Sequence, residues 1–123
     1  MTKPTYALAT ALLLSAAPLA TSAGEADVLN ATAQKQSDGS YKISATVRHD
    51  DTGWEHYADA FDVRLPDGTV LGTRVFHHPH ETEQPFTRSL SGVRVPAGVN
   101  MVIVRAHDKV HGHGGKEFQL NLR

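Results

Sequence analysis

The chain has 123 residues, 40% hydrophobic and 20% charged, with 12 basic residues against 13 acidic ones, which are the proportions of one globular domain rather than a disordered tail. Balanced charge gives no clustered positive surface to displace counterions, so no nucleic-acid partner is expected. The lack of cysteine excludes disulfides, thiolate zinc sites, iron–sulfur clusters and thiol catalysis.

In chain order the first element reads as an export signal. Lys3 carries its positive charge, an apolar run from Ala7 to Leu19 holds Leu12, Leu13 and Leu14, and Thr21-Ser22-Ala23 offers small residues for cleavage. The run is too short and too rich in alanine for a membrane anchor. Residues 1–23 are therefore expected to be removed, leaving a single domain over 24–123 that is periplasmic or secreted and has no transmembrane segment. Without disulfides, that domain must hold its core by burial alone.

The rest of the chain alternates strands and turns. Tyr41, Ile43, Ala45 and Val47 alternate with Lys42, Ser44, Thr46 and Arg48, the period of a half-buried strand. Phe61, Val63 and Leu65 alternate with Asp62 and Arg64, and Phe118, Leu120 and Leu122 with Gln119 and Asn121. Val99 to Ala106 is nearly all apolar, as a central strand covered on both faces would be. Weaker strands fit Asp27–Lys35, Val70–Phe76 and Phe86–Val95. Seven short strands with turns between them predict an all-β fold, a seven-stranded antiparallel β-sandwich of immunoglobulin or fibronectin type III-like architecture; a small closed barrel is the alternative.

The connections fall into two kinds. Ser37–Ser40, Pro66–Thr69 and Pro96–Gly98 are compact turns without histidine. The connections between them are longer. They run from His49 through His56, from His77 through Pro85, and from His107 through Gly115, and they hold all eight histidines. In an antiparallel sandwich each strand crosses the domain once, so alternate connections share an end. The histidines are thus expected at one rim, together with Asp50, Asp51, Glu55, Glu81, Glu83 and Asp108.

Neutral imidazole is a common ligand for late first-row metals. The proline in His78-Pro79-His80 favours an extended chain, which points both rings to one side; His111-Gly112-His113 has the same spacing. A nitrogen and oxygen donor set favours Zn2+ or Cu2+ over Cu+. The expected ligands are His78, His80, His107 and His111, with His49 and His56 in reserve, and Glu81 or Asp108 orienting an imidazole. Competing structural readings exist. His49 continues the inward phase of Tyr41 to Val47 and can cap the core, while His107 can pair with Asp108, Asp59 or Arg88. Trp54 can cover the base of its loop or face a partner.

The segments from Val47 to Asp59 (VRHDDTGWEHYAD), His78-Pro79-His80, Glu83 to Leu90 (EQPFTRSL) and Ala106 to Gly112 (AHDKVHG) together resemble a family of small exported bacterial proteins of uncharacterised function. That resemblance spans nearly the whole mature chain and implies one compact exported domain.

Three functions follow as expectations. The first is a metal-binding carrier or buffer for Zn2+ or Cu2+. The second is a protein-interaction module that uses the same rim to hold an envelope protein. The third, metal-assisted hydrolysis with Glu81 or Glu55 as base, has no supporting catalytic motif.

Overall fold

The computed structural model describes residues 24–122; the expected export signal at 1–23 lies outside them. Seven strands follow in order: β1 (Asp27–Lys35), β2 (Tyr41–Arg48), β3 (Ala58–Arg64), β4 (Val70–Val75), β5 (Phe86–Val93), β6 (Met101–Asp108) and β7 (Phe118–Asn121). No helix occurs among the described residues. The strands form two antiparallel sheets, β1-β2-β5 and β4-β3-β6-β7.

The period of two explains why the sheets share one core. In β2, Ile43, Ala45 and Val47 are buried while Lys42 and Arg48 are exposed. Facing them from the other sheet are Phe61 and Val63 of β3 and Val102, Val104 and Ala106 of β6. Fully burying side chains of this size is worth about 1.5–3 kcal/mol each, and in a chain without cysteine this burial carries the fold.

β6 is an interior strand, flanked by β3 and β7, but it is not covered equally on both faces as its composition predicts. Val102, Val104, Ala106 and Asp108 face inward, whereas Arg105 and His107 lie on the outer side and are only partly covered. Asp108 is the surprise in that inward series, because a carboxylate there must be compensated.

The turns at 36–40 and 65–69 close tightly, with Gln36 N–H donating to Ser40 O and Leu65 N–H to Thr69 O, each at 2.8 Å. They occupy one end of the molecule. The longer connections β2–β3, β4–β5 and β6–β7 occupy the other, and so does the stretch leading into β1. That last neighbour is held in place. Lys116 N–H donates to Asp27 Oδ1 at 2.7 Å and Val28 N–H to Lys116 O at 2.8 Å. A Cβ at Gly115 would run into the carbonyl oxygen of Ala26, so the β6–β7 loop can lie against the start of the domain only because residue 115 has no side chain.

Candidate metal centre

The histidines share an end of the fold but not a single centre. They divide into three groups, with exposed His77 lining the same pocket as His78 and His80.

The first group is built from β2, β6 and the loops beyond them. His49 follows β2 in its inward phase and is 2% exposed. Its Nδ1–H donates to Asp51 Oδ1 at 2.5 Å; a carboxylate can only accept, which fixes this tautomer and leaves Nε2 as a lone pair when the ring is neutral. Asp51 is itself buried and held by two backbone donors, Ala58 N–H at 3.0 Å and His80 N–H at 2.7 Å. His56 returns to the same point through a tight turn in which Thr52 N–H donates to His56 O at 3.0 Å and His56 N–H to Gly53 O at 3.2 Å. The two Nε2 atoms lie 3.1 Å apart, and the carbonyl oxygen of Gly24 is 3.0 Å from the first and 3.1 Å from the second.

Asp108 completes the cluster. Its Oδ1 accepts Val110 N–H at 2.9 Å and His111 N–H at 2.6 Å, which shapes the β6–β7 turn, and lies 3.4 Å from His56 Nε2. Its Oδ2 is buried, 4.0 Å from His49 Nε2, and has no hydrogen-bond partner among the described residues. Burial pushes the Asp108 carboxyl up, but the His111 and Val110 N–H donors and the nearby His49 and His111 outweigh it and hold it below the usual carboxylate range. The group stays ionised at neutral pH. His49, His56 and Asp108 each offer a donor atom within 4.8 Å of the other two.

A donor count exposes the chemistry. His49 Nε2, Gly24 O and Asp108 Oδ2 all accept, and with neutral rings only His56 Nε2–H can donate toward them. A buried acceptor left unpaired costs about 1–3 kcal/mol, more when charged. With neutral rings the three acceptors outnumber that one donor, so a cation held among them would satisfy all three. His111 closes the outer side: its ring centroid is 5.1 Å from that of His56 and its Nδ1 is 3.2 Å from Asp108 Oδ1.

The second group is His78 and His80. Their rings do lie together, with centroids 4.6 Å apart, as the intervening proline suggests. His80 stacks on Phe86, with centroids 4.0 Å apart and planes 10° from parallel, and its Nδ1 is buried without a partner among the described residues. Burial lowers its pKa, helped by Arg88 and His78 and opposed by Asp51 and Glu83. His78 Nδ1 instead approaches Pro79 O at 2.9 Å.

The third group lies on the outer face of the four-stranded sheet. His107 Nδ1–H donates to Asp59 Oδ1 at 2.5 Å, His113 Nε2 lies 3.4 Å from Asp62 Oδ2, and Arg105 Nε donates to Asp62 Oδ1 at 2.9 Å. This is an ion-pair network, and it places His107 away from His49 and His56.

The two reserve histidines thus form the tightest cluster, His111 borders it, and His78, His80 and His107 lie elsewhere. Three contributors escaped the sequence reading: Asp51 as the orienting carboxylate, Asp108 as a direct donor, and the Gly24 carbonyl. Glu81, the other expected orienting group, is exposed.

Comparison with known proteins gives one relative to report. The chain is 42% identical over 97 residues, 79% of its length, to a protein of Halomicrobium mukohataei named "Putative lipoprotein". The chain spans about half the length of that relative, 47%. No family model and no solved structure matches the chain. No helix among the described residues is long and apolar enough to cross a membrane.

Proposed function

We propose that this protein is an exported, envelope-associated metal-binding protein, a carrier or buffer, which holds one divalent ion through His49 Nε2, His56 Nε2, the Asp108 carboxylate and Gly24 O. The observation that carries this reading is the excess of buried acceptors, above all the partnerless Asp108 Oδ2 beside two imidazole nitrogens. Asp51 gives His49 the carboxylate–histidine arrangement that raises ligand basicity and fixes ring orientation. Envelope association is carried over from the relative's name, and the strand order fits a sandwich of fibronectin type III-like kind.

A donor set of imidazole nitrogens and oxygens suits Zn2+ or Cu2+. His49 Nε2, His56 Nε2 and Gly24 O stand 3.0–3.1 Å apart, and His56 Nε2 to Asp108 Oδ1 is 3.4 Å. Donors about 2.0–2.1 Å from a tetrahedral ion are about 3.3 Å from one another and trans donors of a square plane about 4 Å; the 4.0 Å from His49 Nε2 to Asp108 Oδ2 leaves both geometries open to the set.

Titration of residues 24–123 with Zn2+ and Cu2+ tests the reading. One ion should bind per chain, binding should be lost in His56→Gln and kept in His78→Ala. Absence of stoichiometric binding, or dependence on His78 instead of His56, would overturn it.

A second reading rests on the same rim. Trp54 is 62% exposed, packed edge-on to Tyr57 with centroids 5.6 Å apart, and Val110 on the neighbouring loop is 59% exposed. An exposed tryptophan with an apolar neighbour fits an anchor for an envelope protein. Capture of such a partner would then be independent of metal and lost in Trp54→Ala.

A further inference from the structure

We infer that removal of the export signal completes the metal centre, because cleavage after Ala23 turns Gly24 into the mature amino terminus and its α-amino nitrogen into a ligand. This deepens the metal-binding reading above and rests on it.

Gly24 is already inside the cluster. Its carbonyl oxygen touches both imidazole Nε2 atoms, at 3.0 and 3.1 Å. The position is shaped for a residue without a side chain: a Cβ there would stand 2.7 Å from His111 Cε1 and 3.4 Å from His56 Cε1. The stretch is pinned behind it by buried Ala26 and by the pairing of Asp27 and Val28 with Lys116. A residue held this way is part of the site, not a fraying end.

The small residues of Thr21-Ser22-Ala23 put the expected cleavage at the bond next to it. Hydrolysis of the Ala23–Gly24 peptide consumes one water, leaving a carboxylate on Ala23 and a primary amine on Gly24. In the precursor that nitrogen is a peptide amide, whose lone pair is delocalised into the carbonyl and donates poorly. In the mature chain it is an α-amino group, two carbons from the oxygen that faces His49 and His56, and it gives up its ammonium proton to solvent as it binds the ion. Rotation about Cα–C lets the amine and that oxygen close a five-membered chelate on one ion. Late first-row metals favour such nitrogen donors, and a chelate whose oxygen is already positioned loses little freedom on binding. Loading of the ion would then follow export, since the precursor lacks this donor.

The test compares three forms of the mature domain: one beginning at Gly24, one carrying a single added alanine before it, and one with the Gly24 amine acetylated. None alters a residue of the described fold, and equal melting temperatures in chelator would show this. Zn2+ affinity is measured by competition with a chromophoric chelator. Loss of an outer partner alone costs about 10–100-fold in metal affinity, so the extended and acetylated forms should bind at least about tenfold more weakly. Equal affinity in all three forms overturns the role of the amine while leaving the cluster as the site. Failure of all three to bind overturns the metal reading itself. Mass spectrometry of the exported protein should find Gly24 at the amino terminus, and a different terminus also overturns the proposal.

Discussion

Replacing Asp108 by asparagine separates a metal site from a buried ion pair. Asparagine keeps an oxygen for the Val110 and His111 N–H donors and turns the partnerless Oδ2 into an NH2 group facing His49 Nε2, 4.0 Å away. Weakening two charge-assisted bonds costs about 1 kcal/mol each, and removing a buried unpaired charge returns about 1–3 kcal/mol. In chelator the variant should therefore unfold within about 1 kcal/mol of the parent, or be more stable. With Zn2+ at a hundred times its Kd, the parent should gain about 2.7 kcal/mol, which for a domain of this size raises Tm by about 11–22 °C. Asp108→Asn should gain almost none of this. The assay is thermal unfolding of both proteins with chelator and with Zn2+. If the variant instead loses about 3 kcal/mol or more in chelator, then Asp108 neutralises a protonated His49, because breaking a buried pair costs about that much, and a proton fills the centre.

Other outcomes follow from the same geometry. His80 and His113 have pKa values lowered chiefly by burial, so below about pH 6.5 the unfolded chain binds more protons than the folded one. Stability in chelator should accordingly fall as pH drops from 6.5 toward their lowered values and level off beneath them; urea midpoints across that range check this, and His80→Phe should flatten the slope. His107→Asn removes a partly exposed pair with Asp59 and should cost no more than about 1 kcal/mol with Zn2+ affinity unchanged; a tenfold loss would move the site to the outer face. Gly115→Ala should destabilise by about 1–3 kcal/mol through its collision with Ala26 O and weaken Zn2+ binding with it, measured by melting and by competition titration.

Much of this fold can be read from period and punctuation. β1 occupies the span Asp27–Lys35 expected for one of the weaker strands, and the alternation of short and long connections brings the histidine-bearing loops to one end. The centre itself is harder to read, for three physical reasons. Loop membership does not distinguish neighbours that strand phase does: Asp108 continues the inward series of Val104 and Ala106, and His107 the outward one of Arg105, which separates the two onto opposite faces. The H-x-H spacing of His78 and His80 correctly brings their rings together, but His80 is buried against Phe86 while His78 stays exposed, so the two do not face one open site. The start of β1 also lies at the histidine end, yet the stretch before a first strand is not a connection between strands and so carries no loop signal. Gly24 is found only through its contact with His49 and His56, 25 and 32 positions away.

Anomalous X-ray diffraction at the zinc absorption edge, from crystals of residues 24–123 grown with Zn2+, locates the ion directly. One strong peak is expected about 2.0–2.1 Å from the Nε2 atoms of both His49 and His56, with Asp108 as a further donor. A peak confined to His78 and His80 or to His107 and His113, or no peak at all, would contradict a centre assembled from β2, β6 and the start of the domain.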